Sequence, residues 1–131
     1  MTDHQGVAKA RRYLEDYEEG DPEKLAEYFT DDVVWRVGGN HPLSGEYRGK
    51  AELLDYFAQV RDQTSGTLKL ESKSVLASDN HTAMFVRVTG ERDGRQLDVT
   101  LAQVLANGPD GRWNEYWALA DNQAAVDEFW S

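Results

Sequence analysis

Three residues in this chain stand where their side chains could do chemistry. His41 sits in GGNHPLSG, where Gly38 and Gly39 let the chain bend before it and Pro42 fixes the backbone after it. A histidine held in such a loop can orient a carbonyl or shuttle a proton. It can equally be a surface loop residue bonded to a backbone carbonyl. Gln103 interrupts an apolar alternation of Leu97, Val99, Leu101 and Leu105. A lone amide on an apolar face must be paired within the protein or meet a ligand. Asp121 stands directly before NQAAVDEF. There it can cap a helix or, held among apolar groups, carry a proton.

Other chemistries find no residues to perform them. The chain has no cysteine, which removes disulfides, thiolate metal sites and a cysteine nucleophile. The histidines, at 4, 41 and 81, show no ligand spacing, and no HExxH motif occurs, so no metal is expected. No glycine-rich phosphate cradle is present, and no nucleotide cofactor is expected. Ser44 lacks the strand–turn–helix elbow of a serine hydrolase. Lys and Arg total 14 against 24 Asp and Glu, a net charge of −10 that repels phosphate backbones, so nucleic acid is not an expected partner. The N-terminal stretch lacks the apolar core of a signal peptide, and no later segment reads as a membrane span; a cytoplasmic location is the expectation.

The elements that position these residues follow from periodicity. With 131 residues, one domain over 1–131 is expected. Val7, Ala10, Leu14 and Tyr17 make a helical stripe over residues 6–19, and Gly20 ends it. Asp21 caps a short second helix with Pro22 at its first position. VVWRV reads as a short strand. Leu53, Leu54, Phe57 and Val60 form the apolar face of a third helix over 50–62. The pattern then changes to period two, giving strands over 67–76, 82–92, 96–106 and 112–120, with Asp93-Gly94 a hairpin signal. Asp121 is expected to cap a last short helix. The order describes an α+β fold: a curved antiparallel sheet of four long strands and one short, wrapped around about three N-terminal helices. So few helices on such a sheet can leave a hollow. Four tryptophans, six tyrosines and four phenylalanines are ample to line one. Trp35, Phe57, Phe85 and Trp117 read as core, and in this architecture core and pocket wall are often one surface.

The run EEGDPEKLAEYFTDDVVWRVGGNHPLSGEYRGKAELLDYF, together with the ending RWNEYWALADNQAAVDEFW, resembles the SnoaL-like group of the nuclear transport factor two-like superfamily. The resemblance implies a cone-shaped barrel with a deep apolar pocket, and a homodimer formed through the sheet. That superfamily holds isomerases, cyclases, epoxide hydrolases, dehydratases and members without catalysis, so residues rather than fold must decide the activity.

Matched against the ketosteroid isomerases of that superfamily, Tyr13 falls at the oxyanion tyrosine, but the general-base aspartate falls on Val37 and the oxyanion aspartate on Leu101. Valine cannot abstract a proton, so the isomerase mechanism is not expected. Matched against the SnoaL-like cyclases, Asp121 falls at the acid/base aspartate. The relatives' histidine directly after the strand tryptophan is replaced by Arg36. The resemblance therefore implies a cofactor-independent isomerase, cyclase or dehydratase acting on a small apolar carbonyl compound. In that reading Asp121 carries the proton, Tyr13 donates to an oxyanion and His41 or Gln103 orients. Trp35, Tyr17, Phe57, Phe85, Leu101, Gln103 and Trp117 would contact the ligand. The alternative is a non-catalytic module that binds a hydrophobic ligand or dimerises.

Overall fold

A computed structural model describes residues 4–131. Helix α1 (Gln5–Glu19) buries Val7, Ala10, Tyr13 and Leu14, the stripe that the 3.6-residue period requires. His4 begins it: its Nδ1 accepts from the Gly6 N–H at 3.0 Å. Gly20 ends it in the left-handed conformation. Helix α2 (Pro22–Ala26) starts as its residues dictate, with the Asp21 carboxylate accepting from the Glu23 N–H at 3.1 Å. Helix α3 (Lys50–Gln63) buries Leu53, Phe57 and Val60.

Strands β1 (Phe29–Val37), β2 (Gly45–Arg48), β3 (Lys69–Ala77), β4 (His81–Arg92), β5 (Arg95–Asn107) and β6 (Trp113–Ala120) form one sheet, in the order β2-β1-β6-β5-β4-β3. Helix α4 (Gln123–Trp130) follows. The α+β class and the helix order are as expected, and the sheet corrects the expectation at three points. GEYR is a sixth strand, β2, antiparallel to β1 with Trp35 opposite Tyr47. Strand β1 runs parallel to β6, so the sheet is not wholly antiparallel. The sheet also stays open, with β2 and β3 as its edges. A fourth difference lies at α4: Asn122, not Asp121, caps it, its side chain accepting from the Ala125 N–H at 3.1 Å.

The helices and the inner sheet face enclose a core in which Tyr13, Phe29, Leu53, Met84, Leu105, Trp113 and Phe129 are almost wholly shielded. Each such side chain, fully buried, is worth about 1.5–3 kcal/mol. Around Tyr13 the rings of Tyr28, Phe29 and Trp113 meet edge to face at 5.3–5.9 Å, the arrangement that ring quadrupoles favour. The outer face is partly apolar: Leu76, Phe85, Trp117 and Leu119 are 62, 40, 37 and 75% exposed. Among the described residues, no helix is long and apolar enough to cross a membrane.

Candidate functional site

Strand β6 builds the site through its alternation. Tyr116, Ala118 and Ala120 point inward while Trp117 and Leu119 point out. The two small side chains leave the inner sheet face unfilled, and α4 bridges the gap. The result is a cavity of about 100 Å³, walled by Val37, Leu101, Tyr116, Val126 and Trp130, with Arg36, His41, Tyr56 and Gln123 as its polar residues.

The loop that carries His41 closes this cavity. Asn40 N donates to the Asp127 carboxylate of α4 at 2.9 Å, and Gln123 Nε2 donates to the same oxygen at 3.0 Å. Gly39, at φ +86°, permits the approach, since a Cβ there would collide with the Gln123 amide and the Asp127 carboxylate. These hydrogen bonds, led by that of the Asn40 N–H, hold the Asp127 carboxyl below its usual range.

His41 is fixed from several sides. Its N–H donates to Ser44 Oγ at 3.0 Å, and its Nδ1 accepts from Leu43 N at 3.2 Å. The Nδ1 lone pair is therefore occupied, which puts the proton of the neutral ring on Nε2. That Nε2 is buried and makes no formed hydrogen bond. Burial pushes the ring's pKa below its ordinary 6.5, against smaller opposing pulls from Asp127 and the nearby Gly38 carbonyl. At neutral pH His41 thus presents one N–H donor at the cavity edge, with the Gly38 carbonyl near it but outside hydrogen-bond geometry.

The opposite wall is set by a stack. The Trp35 and Tyr116 rings lie parallel, 3.5 Å between centroids. Gln103 Nε2 donates to the Tyr116 hydroxyl at 2.7 Å while Gln103 Oε1 is buried without a partner. Burial raises the pKa of both Tyr116 and Tyr56, so both hydroxyls stay protonated and neutral.

The residues singled out in the sequence are distributed as follows. Leu101 and His41 line the cavity. Gln103 stands behind Tyr116, and Trp35 forms the layer beneath it. Tyr17 and Phe57 face a second cavity between α1 and α3. Tyr13 lines neither; it is sunk in the aromatic cluster, its pKa raised mainly by burial. Phe85 and Trp117 sit on the outer face, contrary to expectation. Strand parity explains both, because Met84 and Val86 on β4 and Tyr116 on β6 take the inward positions. Arg36 stands at the cavity's edge and sends its guanidinium outward, 4.9 Å from the Trp117 ring centroid and 3.3 Å from Glu115.

Asp121 lies at the surface. Its carboxylate accepts from the Thr100 N–H at 3.1 Å, tying the end of β6 to β5. Among the described residues no carboxylate lines the cavity. The two positions that the isomerase comparison assigns to aspartates do line it, as Val37 and Leu101. Tyr116, Tyr56 and Trp130 were not singled out in the sequence. The alternation of Tyr116, Ala118 and Ala120 against Trp117 and Leu119 is the signal that could have found the first. Among the described residues no three His, Asp or Glu side chains come together as a metal site.

The SnoaL-like domain family model matches residues 10–116. An uncharacterised protein of Mycobacterium tuberculosis, Rv0034, is 28% identical over 134 residues and covers all of both chains. Among solved structures, Bal32a from a soil-derived mobile gene cassette superposes with a TM-score of 0.90 at 29% identity, over 97% of each chain. A nuclear-transport-factor-two-like protein of Anabaena variabilis superposes with a TM-score of 0.76 at 16% identity, over 92% of this chain and 94% of that one. The fold is that of the nuclear transport factor two-like proteins, and the chain belongs to the SnoaL-like family.

Proposed function

We propose that the chain binds a small, mainly apolar molecule with a carbonyl-type oxygen in the cavity beneath α4. The observation that carries this reading is the buried, unpaired Nε2 of His41 at the edge of a mainly apolar wall. A buried donor without a partner is costly, and a ligand oxygen would relieve it. The cavity's other polar groups include the Tyr56 and Tyr116 hydroxyls, both held neutral and both able to donate. A neutral acceptor suits such a set better than a cation. The test is calorimetric titration with cyclohexanone and straight-chain methyl ketones, using wild type and His41→Ala. A lost hydrogen bond of roughly 0.5–1.5 kcal/mol weakens binding by about two- to tenfold. Equal affinity in the two proteins refutes the assignment.

A second reading is favoured by the state of the same ring. A neutral histidine donating from Nε2 can polarise a carbonyl, so cofactor-independent isomerase, cyclase or dehydratase chemistry would centre on His41 rather than on Asp121, which is turned to solvent. Turnover abolished in His41→Gln and retained in Asp121→Asn is the expected pattern. Loss in Asp121→Asn alone contradicts it.

We further infer a homodimer through the outer sheet face. Phe85 lies opposite Ala102, which lies opposite Leu119, and Leu76, Ala83, Val104 and Trp117 follow one another across β3 to β6. These two adjoining rows make a continuous apolar surface of the kind that marks an interface. Light scattering is expected to give a dimer in wild type and a monomer in Leu119→Glu; a monomeric wild type refutes it.

A further inference from the structure

The cavity beneath α4 has a neighbour. A second cavity, of about 190 Å³, opens between the C-terminal ends of α1 and α3, with Tyr17, Leu25, Phe57 and Val60 as its apolar wall and Glu18, Glu19 and Arg61 as its charged one. Leu68 lines both cavities. The two linings also touch: Phe57 of the second cavity packs against Tyr56 of the first, 5.9 Å between ring centroids.

Leu68 is well placed to divide the two spaces. It sits in the short link between α3 and β3, after a tight turn in which Ser65 and Gly66 have φ of 52° and 72°. The backbone beside it is anchored: Thr67 Oγ1 accepts from Glu91 N at 2.9 Å and reaches the Thr64 carbonyl at 2.7 Å. The half-buried side chain lies over Gly90 of β4, where a Cβ would come within 2.9 Å of Leu68 Cδ1. The bare glycine gives the leucine its seat. A fixed backbone carrying one apolar side chain between two hollows is a partition.

We propose that the two cavities are lobes of one channel for an elongated, mainly apolar molecule bearing a single oxygen acceptor, and that Leu68 sets the length of the ligand. The proposal rests on the reading of the first cavity as a ligand site. It goes further in assigning the second cavity and naming the residue between them. The oxygen engages the His41 end, and the apolar tail runs past Tyr116 toward Tyr17 and Phe57.

Straight-chain methyl ketones of increasing length test it, titrated by calorimetry into wild type, Leu68→Ala and Leu68→Trp, each first checked for an intact unfolding transition. Every methylene that enters the channel tightens binding by about fourfold, at roughly 0.8 kcal/mol per buried methylene. The chain length at which this gain stops is expected to be longer in Leu68→Ala and shorter in Leu68→Trp than in wild type. The same stopping length in all three proteins overturns the partition while leaving the first cavity's role intact. Ketones that bind none of them overturn that role and the channel together. Should Leu68→Ala unfold, the Leu68→Trp comparison alone decides, since an unchanged stopping length there refutes the proposal.

Discussion

Replacing Tyr116 with phenylalanine isolates the polar contact behind the cavity wall. The Tyr116 hydroxyl is the partner of Gln103 Nε2, at 2.7 Å, and Gln103 is only 5% exposed. Its Oε1 is already without a partner. Tyr116→Phe keeps the ring, and so the stack on Trp35, but leaves both ends of a buried amide unsatisfied. Leaving a buried polar group unpaired costs about 1–3 kcal/mol. At roughly 4 °C per kcal/mol for a domain of this size, the loss is about 4–12 °C in Tm. Adding Gln103→Leu removes the orphaned amide itself. Replacing both partners with apolar groups is nearly neutral, so the double variant is expected to recover most of the loss. Thermal unfolding by circular dichroism at one fixed protein concentration measures all three differences. The reasoning fails if Tyr116→Phe melts with wild type, or if the double variant is less stable than Tyr116→Phe alone.

Gly39→Ala should destabilise the loop-to-α4 junction by about 1–3 kcal/mol, because it combines a left-handed backbone with a collision against Gln123 and Asp127. Faster amide exchange in α4 than in α1 would show the effect to be local. His41, with its pKa lowered by burial, binds its proton more weakly folded than unfolded. The unfolded chain therefore takes up more protons below pH 6.5, and stability falls as pH drops through that value toward the folded pKa. A Tm-against-pH curve should be flatter there in His41→Gln; identical curves contradict the assignment. The carboxyl groups of Asp16, Asp98, Asp110 and Asp127, held below 3.8 by their partners, act at more acid pH and do not blur the comparison. Arg95→Ala removes hydrogen bonds to the Glu128 and Ser131 carbonyls at the end of α4. Exchange in the last turn of α4 should accelerate while the sheet amides stay protected.

Helix α1 and strand β4 were legible because each carries a clean period: Val7, Ala10 and Leu14 on α1, and Met84, Val86 and Val88 on β4. Strand β2 was not, since its four residues bury almost nothing and are held by pairing with β1, a contact no local pattern records. The parallel pairing of β1 with β6 joins segments far apart in sequence and is likewise silent in either one. At the site, the histidine loop was legible from its glycines, whereas Phe85 and Trp117 were assigned to the wrong face. An aromatic residue suggests burial, but in a strand parity decides: Phe85 stands between the inward Met84 and Val86, and Trp117 between Tyr116 and Ala118. Asp121 and Asn122 are both good helix caps. Only the geometry, in which Asp121 reaches Thr100 and Asn122 reaches Ala125, separates them.

Side-chain nitrogen NMR of His41 during ketone titration tests the central claim most directly, because it reads the tautomer and the hydrogen bond of one ring. Three histidines give three resolvable ring systems. The expected result is a neutral ring protonated at Nε2 at neutral pH, whose Nε2 resonance moves on ketone addition while those of His4 and His81 stay in place. A His41 ring that is charged at neutral pH, or that does not respond while ketone binds, contradicts it.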